Sequence, residues 1–146
     1  MKDELLVLLH GEVVGRLLQR EVGFEPTFEY TEKYAIDGSV ALSASLPLQS
    51  TPFDGKKVQP FLMGLLPDDE DVRSQIARRV PTHRDDSFAL LAEVGKDCPG
   101  AVQFCRAEEL SAVESEKAEL NPLSDADIAD RIRALTIDRA SCTLTG

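Results

Sequence analysis

Alternating apolar and polar positions at the start of the chain predict a β-hairpin. Two short apolar runs, at residues 4–9 and 12–19, are joined through His10 and Gly11, and glycine permits the positive φ of a tight two-residue turn. Gly15 lies inside the second run, where a residue without a side chain contributes nothing to packing. It therefore predicts a bulge or a close backbone approach at that point.

The next segments extend the predicted sheet. Residues 24–30 place their aromatic side chains on one side by period two, and Pro26 assigns this strand to a sheet edge because proline cannot donate a backbone hydrogen bond. Residues 31–39 predict a turn or a single helical turn. Residues 40–46 alternate larger apolar side chains with small Ala and Ser, which predicts a half-buried strand that ends at Pro47.

The middle of the chain changes to helical patterns. Residues 58–66 are apolar nearly all round, as in a helix buried on most sides, with Pro60 in its first turn. Asp68 is a suitable N-cap for the next helix, and Thr82 with Asp85 has the spacing of a capping box for the helix after it. The predicted elements are helices over 58–66, 69–79 and about 85–94, followed by a short strand over 100–105.

The composition changes again beyond residue 106. Glu, Ala and Ser dominate with little periodicity, which predicts an acidic linker over 107–123. Ser124 and Asp127 form a further capping box that opens a helix, and alternation near the end of the chain predicts a last strand. The predicted fold class is α+β, with a small antiparallel, barrel-like β-sheet subdomain capped by short helices at 1–106. The start of a second α+β subdomain follows at 124–146.

The balance of charges limits the partners of the chain. Its 146 residues carry 26 acidic and 16 basic side chains, a net charge of −10. Nucleic-acid binding requires a basic face that displaces counterions, and an anionic membrane surface repels an acidic chain. We therefore expect no direct nucleic-acid partner and no membrane partner. The sequence opens without a signal-peptide pattern and has no apolar run near the ~18 residues of a membrane span, which predicts a cytoplasmic location.

The chemistry that the residues could support by themselves is sparse. Three cysteines without a C-x-x-C pair predict reduced thiols rather than a disulfide framework or a zinc site, and no metal-ligand cluster is expected. Residues 95–100 have the glycine spacing of a phosphate-binding loop, but Ala101 and Val102 stand where its Lys and Ser or Thr are required. Cys98 lacks a histidine that the sequence places beside it as a base. A basic cluster over 73–84 is either a solvated face or a contact for an anion or an acidic partner.

Seven motifs in a fixed order give the chain a family resemblance. They include His-Gly-Glu-Val-Val-Gly-Arg-Leu at 10–17, Leu-Ser-Ala-Ser-Leu-Pro-Leu at 42–48 and Phe-Leu-Met-Gly-Leu-Leu-Pro-Asp at 61–68, with others at 28–30, 53–55, 88–91 and 95–102. In this order they resemble the N-terminal region of HipA-type proteins, the serine/threonine protein kinase toxins of HipBA toxin–antitoxin modules. The resemblance covers residues 5 to about 105 closely and 124–146 more loosely. Gly64 and Pro99 depart from the Asn and Ala that are common in the family.

The resemblance implies a nucleotide loop at the end of the chain. In the family a strand leads into a glycine-rich loop that covers the ATP phosphates, and residues 143–146 resemble its first four positions. Thr145 and Gly146 would form the front of this loop, and Thr143 and Thr145 match hydroxyl positions where such kinases autophosphorylate. ATP and Mg²⁺ are implied for the full-length kinase and not for this fragment. The catalytic Asp, the phosphate-binding Lys and the metal ligands of the kinase have no counterpart in these residues.

Two functions follow from the resemblance. The first is a non-catalytic N-terminal fragment of a HipA-like kinase toxin of a type II system, which packs on the kinase core in cis and contacts a HipB-like antitoxin. The alternative is a free-standing, HipS-like subunit that inhibits a separate HipA-type kinase in trans. The first is favoured because the glycine-rich loop is interrupted after its first Gly, whereas a natural split would leave the whole loop on the kinase. No enzymatic activity is expected of the chain alone.

Overall fold

The computed structural model of the chain describes residues 3–80, 82, 85–98, 101–115 and 122–137. Four strands form one antiparallel sheet: β1 (Asp3–Leu9), β2 (Glu12–Gln19), β3 (Thr27–Tyr30) and β4 (Val102–Cys105), in the order β3-β2-β1-β4. The predicted hairpin is confirmed, and β3 lies at a sheet edge as Pro26 predicted. The α+β class, with an antiparallel sheet and short helices, is therefore confirmed.

The β1–β2 hairpin shows why glycine stands at two of its positions. His10 and Gly11 adopt φ values of 51° and 80°, as a two-residue hairpin turn requires. The register between the strands shifts after Val7, so Val14 is the extra residue of a bulge. A Cβ atom on Gly15 would lie 2.5 Å from the Glu29 carbonyl oxygen, so both features predicted at this glycine are present.

Six α-helices and two short 3₁₀ turns complete the described chain. The helix predicted over 58–66 is α2 (Gly55–Met63), whose N-cap Asp54 accepts a hydrogen bond from the Lys57 amide. It therefore begins earlier than predicted, and Pro60 lies inside it. The 3₁₀ turns span Gly95–Asp97 and Ala107–Glu109. The helices are α1 (Glu32–Asp37), α2 (Gly55–Met63), α3 (Glu70–Ala77), α4 (Ser87–Val94), α5 (Leu110–Ser115) and α6 (Asp125–Ile137).

The hydrophobic core lies between one face of the sheet and the helices that follow β3. Helix α2 contacts β3 and α4, and α4 contacts β4 and α3. Phe28 and Phe104 are each 1% exposed, and burial of such a side chain stabilises the fold by about 1.5–3 kcal/mol. Leucine and valine supply most of the remaining core: Leu5, Val7, Val14, Leu17, Leu46, Val58, Leu62, Leu90 and Leu91.

The strand predicted over 40–46 is wrong. The segment forms an irregular loop with an isolated bridge between Ser43 and Leu46, whose amide donates to the Ser43 carbonyl. The Ser43 hydroxyl accepts from the Ser45 amide at 3.3 Å. Serine side chains compete for backbone groups in this way, and they replace the ladder that the alternating pattern predicted.

The helix starts also differ in detail from the prediction. The cap of α3 is Asp69 rather than Asp68, and it accepts from the amides at positions 71 and 72. The cap of α4 is Asp86 rather than the pair predicted at 82 and 85. The capping box at α6 is confirmed, since the Asp127 amide donates to the Ser124 hydroxyl at 3.2 Å and the Ser124 amide donates to the Asp127 carboxylate at 3.0 Å.

The segment predicted as an acidic linker contains structure in its first half. The 3₁₀ turn Ala107–Glu109 runs into α5, and the Glu109 carboxylate accepts from the Lys96 ammonium at 2.7 Å. This bond and one from the Arg106 amide lower the pKa of Glu109. Among the described helices, not one is long and apolar enough to cross a membrane.

Candidate functional site

The residues predicted to bind nucleotide or to be phosphorylated fall at the end of the chain. Thr143, Thr145 and Gly146 lie outside the described residues, as does the strand predicted before them. The start of the glycine-rich ATP loop therefore stays a prediction. The described structure instead bears on the chemistry and surfaces of residues 3–115.

The basic cluster does not present all of its charges to solvent. Nη1 of Arg73 donates to the carbonyl oxygen of Pro67 at 2.8 Å and to that of Asp68 at 3.2 Å. The Nε atom of the same side chain is buried without a hydrogen-bond partner. Arg73 thus fixes the turn at the end of the Leu-Leu-Pro motif rather than an external anion. His83 and Arg84 lie outside the described residues.

The two cysteines within the described residues are structural. Burial, with a smaller contribution from the Asp97 carboxylate, raises the pKa of the Cys98 thiol to about 12. Cys105 is fully buried in β4, and burial raises its pKa as well. A thiol must ionise to act as a nucleophile, so neither residue is prepared for covalent chemistry. Over the described ranges, no group of three or more His, Cys, Asp or Glu side chains could hold a metal ion.

A buried polar cluster joins β2 to the start of α4. Asp86 is 6% exposed, and its Oδ1 accepts from the Ala89 amide at 3.1 Å and from Gln19 Nε2 at 3.2 Å. Its Oδ2 accepts from the Thr82 hydroxyl at 3.0 Å. Neutral donors thus satisfy the carboxylate, which caps the helix and ties it to a strand 67 residues away in sequence. An open cavity of about 170 Å³ lies beside the cluster, with Val22 and Arg106 among its lining residues.

The contacts around Tyr30 shape the loop that follows α1.

 The Tyr30 hydroxyl accepts a hydrogen bond from the Leu42 amide at 2.8 Å and donates one to the Leu46 carbonyl at 2.5 Å. Its ring packs edge-on against Phe28, with centroids 4.8 Å apart, and is stacked with Tyr34. The pKa of Tyr30 is raised. Burial is the largest cause and Tyr34 adds to it, whereas the hydrogen bond from the Leu42 amide acts in the opposite direction.

The sequence reasoning missed the role of both Tyr30 and Asp86. For Tyr30 a signal was available, because period two places it on the same inward side as Phe28, and a buried tyrosine hydroxyl nearly always has a hydrogen-bond partner. For Asp86 the signal is weak, because Asp85 and Asp86 are adjacent and either one could cap the helix.

The loop held by Tyr30 belongs to a segment without charged side chains. Residues 38–53 contain no Asp, Glu, Lys or Arg, although the chain as a whole is 29% charged. Val40 is 53% exposed on this loop, and Ile36 of the preceding helix is 78% exposed. We call the exposed side of this loop, which begins at Val40, the Val40 face. Exposed apolar side chains on a charge-depleted segment are typical of a surface that contacts another protein.

Comparison with known proteins gives the chain a family. A model of the HipA N-terminal domain matches residues 5–105. A protein of Sinorhizobium fredii (strain NBRC 101917 / NGR234) described as "Putative kinase Y4mE" is 35% identical over 116 residues, which are 79% of this chain and 26% of that protein. The chain thus spans about a quarter of the length of Y4mE.

Two further proteins are similar to the chain, one in sequence and one in fold. An uncharacterized protein of Haemophilus influenzae (strain ATCC 51907 / DSM 11121 / KW20 / Rd) is 30% identical over 98 residues, 67% of this chain and 87% of that protein. HipA in the solved complex of Shewanella oneidensis MR-1 HipA, HipB and operator DNA superimposes with a TM-score of 0.66 at 22% identity. That match covers 88% of this chain and 29% of the solved chain, and it shows a shared fold. Because the family model covers more than half of the sequence, the chain belongs to the HipA N-terminal domain family.

Proposed function

We propose that the chain is the N-terminal, non-catalytic part of a HipA-like serine/threonine protein kinase toxin of a type II toxin–antitoxin system. The observation that carries the proposal is the family match over residues 5–105, in a chain whose match spans 26% of the relative described as "Putative kinase Y4mE". In the proposed protein this domain packs on the kinase core. It also offers a surface to a HipB-like antitoxin.

The arrangement of charged side chains supports a role in packing and binding. Asp54, Asp69 and Asp86 cap helices, and Arg73 donates to two backbone carbonyls, so these charges are engaged in holding the fold. Burial raises the pKa of Cys98 to about 12, which leaves this thiol protonated at neutral pH. Phosphoryl transfer in the proposed protein belongs to the part that follows this domain.

The antitoxin partner is proposed from the solved relative. That structure holds Shewanella oneidensis HipA together with HipB and operator DNA. With a net charge of −10, the present chain has the wrong sign for a direct contact with phosphates. We therefore assign any contact with an operator to the antitoxin rather than to this domain.

The ATP loop belongs to the same proposal. Thr145 and Gly146 would form the front edge of the glycine-rich loop, and ATP with Mg²⁺ would bind in the kinase part beyond them. Phosphorylation at Thr143 or Thr145 would add a charge of about −2 where ATP phosphates have to bind. The modified loop would therefore oppose productive nucleotide binding.

A test of the proposal compares the 146-residue chain with a long chimera. In the chimera the 146 residues replace the matching N-terminal part of Y4mE. Titration calorimetry with Mg²⁺-ATP should detect no micromolar binding to the isolated chain, and an assay for released phosphate should detect no turnover. The chimera should bind Mg²⁺-ATP. Micromolar binding or hydrolysis by the isolated chain would contradict the proposal.

A second candidate function is favoured by the Haemophilus influenzae relative. The matched 98 residues are 87% of that protein, so a protein little longer than this domain exists. Such a protein fits a free-standing subunit that inhibits a separate HipA-type kinase. The reading frame beyond codon 146 separates the candidates, because continuation into a long kinase frame supports the first. A stop codon followed by a separate kinase gene supports the second.

A further inference from the structure

The sheet buries two side chains on the face that points away from the core. Alternation along β1 and β4 places Leu8 and Cys105 on the opposite face from Val7 and Phe104. Both are fully buried, although neither belongs to the cluster of contacting side chains that includes Val7 and Phe104. A segment other than the core helices must therefore cover them.

The chain that follows β4 supplies this cover. The 3₁₀ turn Ala107–Glu109 contacts β1, and α5 follows the turn without a break. Burial raises the pKa of the Cys105 thiol, with Glu109 and Glu114 adding to the rise and Lys96 acting against it. Charges from both the turn and α5 thus act on the thiol, which places the whole segment beside it. We call residues 107–115 the strap.

The strap covers buried side chains but is itself weakly packed. No residue of the strap is buried, and its apolar side chains Leu110 and Val113 are half-buried. A helix as short as α5 has little stability of its own. The strap is fastened through Glu109, whose carboxylate accepts from the Lys96 ammonium at 2.7 Å and from the Arg106 amide at 2.9 Å. Glu109 therefore joins the strap to the 3₁₀ turn that precedes β4.

Segments with few buried contacts open at a lower free-energy cost than the fold as a whole. We propose that the strap opens as a unit while the sheet and the core stay folded, with Glu109 as its latch, and that opening exposes Leu8 and Cys105. Access to this second face of the sheet is thereby coupled to release of Glu109 from Lys96. The device belongs to the described domain and does not depend on the proposed kinase function.

Labelling of Cys105 with a maleimide measures the opening. Cys98→Ala and Cys142→Ser leave Cys105 as the single thiol of the 146-residue chain. Glu109→Gln then removes the charge of the latch, and Glu108→Gln is the matched control, since it makes the same change at the neighbouring exposed position. Each rate is divided by the rate of the same variant unfolded in urea, which removes differences in the reactivity of the thiol itself. Glu109→Gln should label about threefold faster or more, and Glu108→Gln at the unmodified rate.

Salt provides a second readout of the latch. Because dissolved ions screen a partly exposed ion pair, raising the ionic strength from about 0.05 M to about 1 M should accelerate labelling of the chain that retains Glu109. The same change should leave the rate of Glu109→Gln nearly constant. A mere loss of packing in Glu109→Gln would not remove this dependence on salt.

The urea dependence of labelling separates opening of the strap from unfolding of the domain, and it needs no substitution at Glu109. Local opening exposes little surface, so at low urea the labelling rate of Cys105 should hardly change with urea concentration. A rate that rises with urea as steeply as global unfolding does would overturn the inference, as would the absence of labelling below the unfolding transition. Equal rates for Glu109→Gln and Glu108→Gln would overturn the assignment of Glu109 as the latch.

Discussion

Removal of one hydroxyl group tests the role assigned to Tyr30. Tyr30→Phe keeps the ring and its contacts with Phe28 and Tyr34, and deletes only the oxygen that joins the Leu42 amide to the Leu46 carbonyl. Leu46 is fully buried, so its carbonyl is poorly placed to find water as a replacement donor. The Leu42 amide lies in a partly exposed residue and can be hydrated more easily.

The expected loss of stability follows from these two groups. A buried acceptor left without a partner costs about 1–3 kcal/mol, and the net contribution of an ordinary hydrogen bond is about 0.5–1.5 kcal/mol. Together they predict a decrease of about 2–3 kcal/mol in the free energy of unfolding. For a domain of roughly 100 residues, this corresponds to a melting temperature lower by about 10 °C or more.

Thermal and urea unfolding, followed by circular dichroism, measure the effect, with Tyr34→Phe as the matched control. The Tyr34 hydroxyl donates to the Val40 carbonyl in an exposed position, so its removal should change the free energy of unfolding by less than about 0.5 kcal/mol. Hydrogen exchange at the Leu42 amide should also accelerate in Tyr30→Phe. Equal stability of the two variants would refute the argument that Tyr30 holds the loop.

Three further predictions concern glycine contacts, helix caps and alkaline pH. Gly15→Ala should destabilise the domain by about 2–3 kcal/mol in urea unfolding, because the added Cβ would lie 2.5 Å from the Glu29 carbonyl oxygen. The matched control Gly64→Ala, whose added Cβ would have its nearest atom at 3.4 Å, should be neutral or stabilising. Asp86→Ala removes a helix cap and the acceptor of two side-chain hydrogen bonds, from Gln19 and Thr82, although Gln19 keeps its bond to the Phe24 carbonyl. It should cost about 2–3 kcal/mol, against about 1 kcal/mol for the exposed cap Asp54→Ala by the same measurement. Since burial raises the pKa of Cys98 from 9.0 to about 12, its contribution to stability is complete below pH 9 and is lost as pH rises towards 12. Melting curves between pH 8 and 11 should therefore show a steeper loss for the unmodified chain than for Cys98→Ala, and identical slopes would contradict the assigned burial.

Local sequence signals predicted those parts of the fold whose cause is local. The hairpin follows from a turn that needs positive φ at residues 10 and 11. Gly15 marks a place where the backbone of Glu29 comes so close that no side chain fits. The capping box at α6 depends on two residues three positions apart. Each of these features is decided within a few neighbours, so the order of residue types is enough to find it.

Two of the errors involve a contact with a residue that is distant in sequence. The alternation over 40–46 fits a strand, but the Leu42 amide is bonded to the hydroxyl of Tyr30, 12 residues away, instead of to a neighbouring strand. Likewise Asp86, rather than Asp85, is the cap of α4 and is contacted by Gln19, 67 residues away. Periodicity contains no information about such partners. The Val40 face is likewise visible only once the loop is known to be irregular and exposed.

The pairing of β4 with β1 has a consequence for synthesis of the chain on the ribosome. Leu6 is opposite Cys105, so β1 completes its pairing only after β4 has been made. Because the ribosome adds about 5–20 residues per second, one edge of β1 stays unpaired for several seconds or longer. An unpaired apolar strand is a template for association with other chains. A nascent chain that stalls before residue 105 would expose this strand, and would be a natural client for chaperones and proteases.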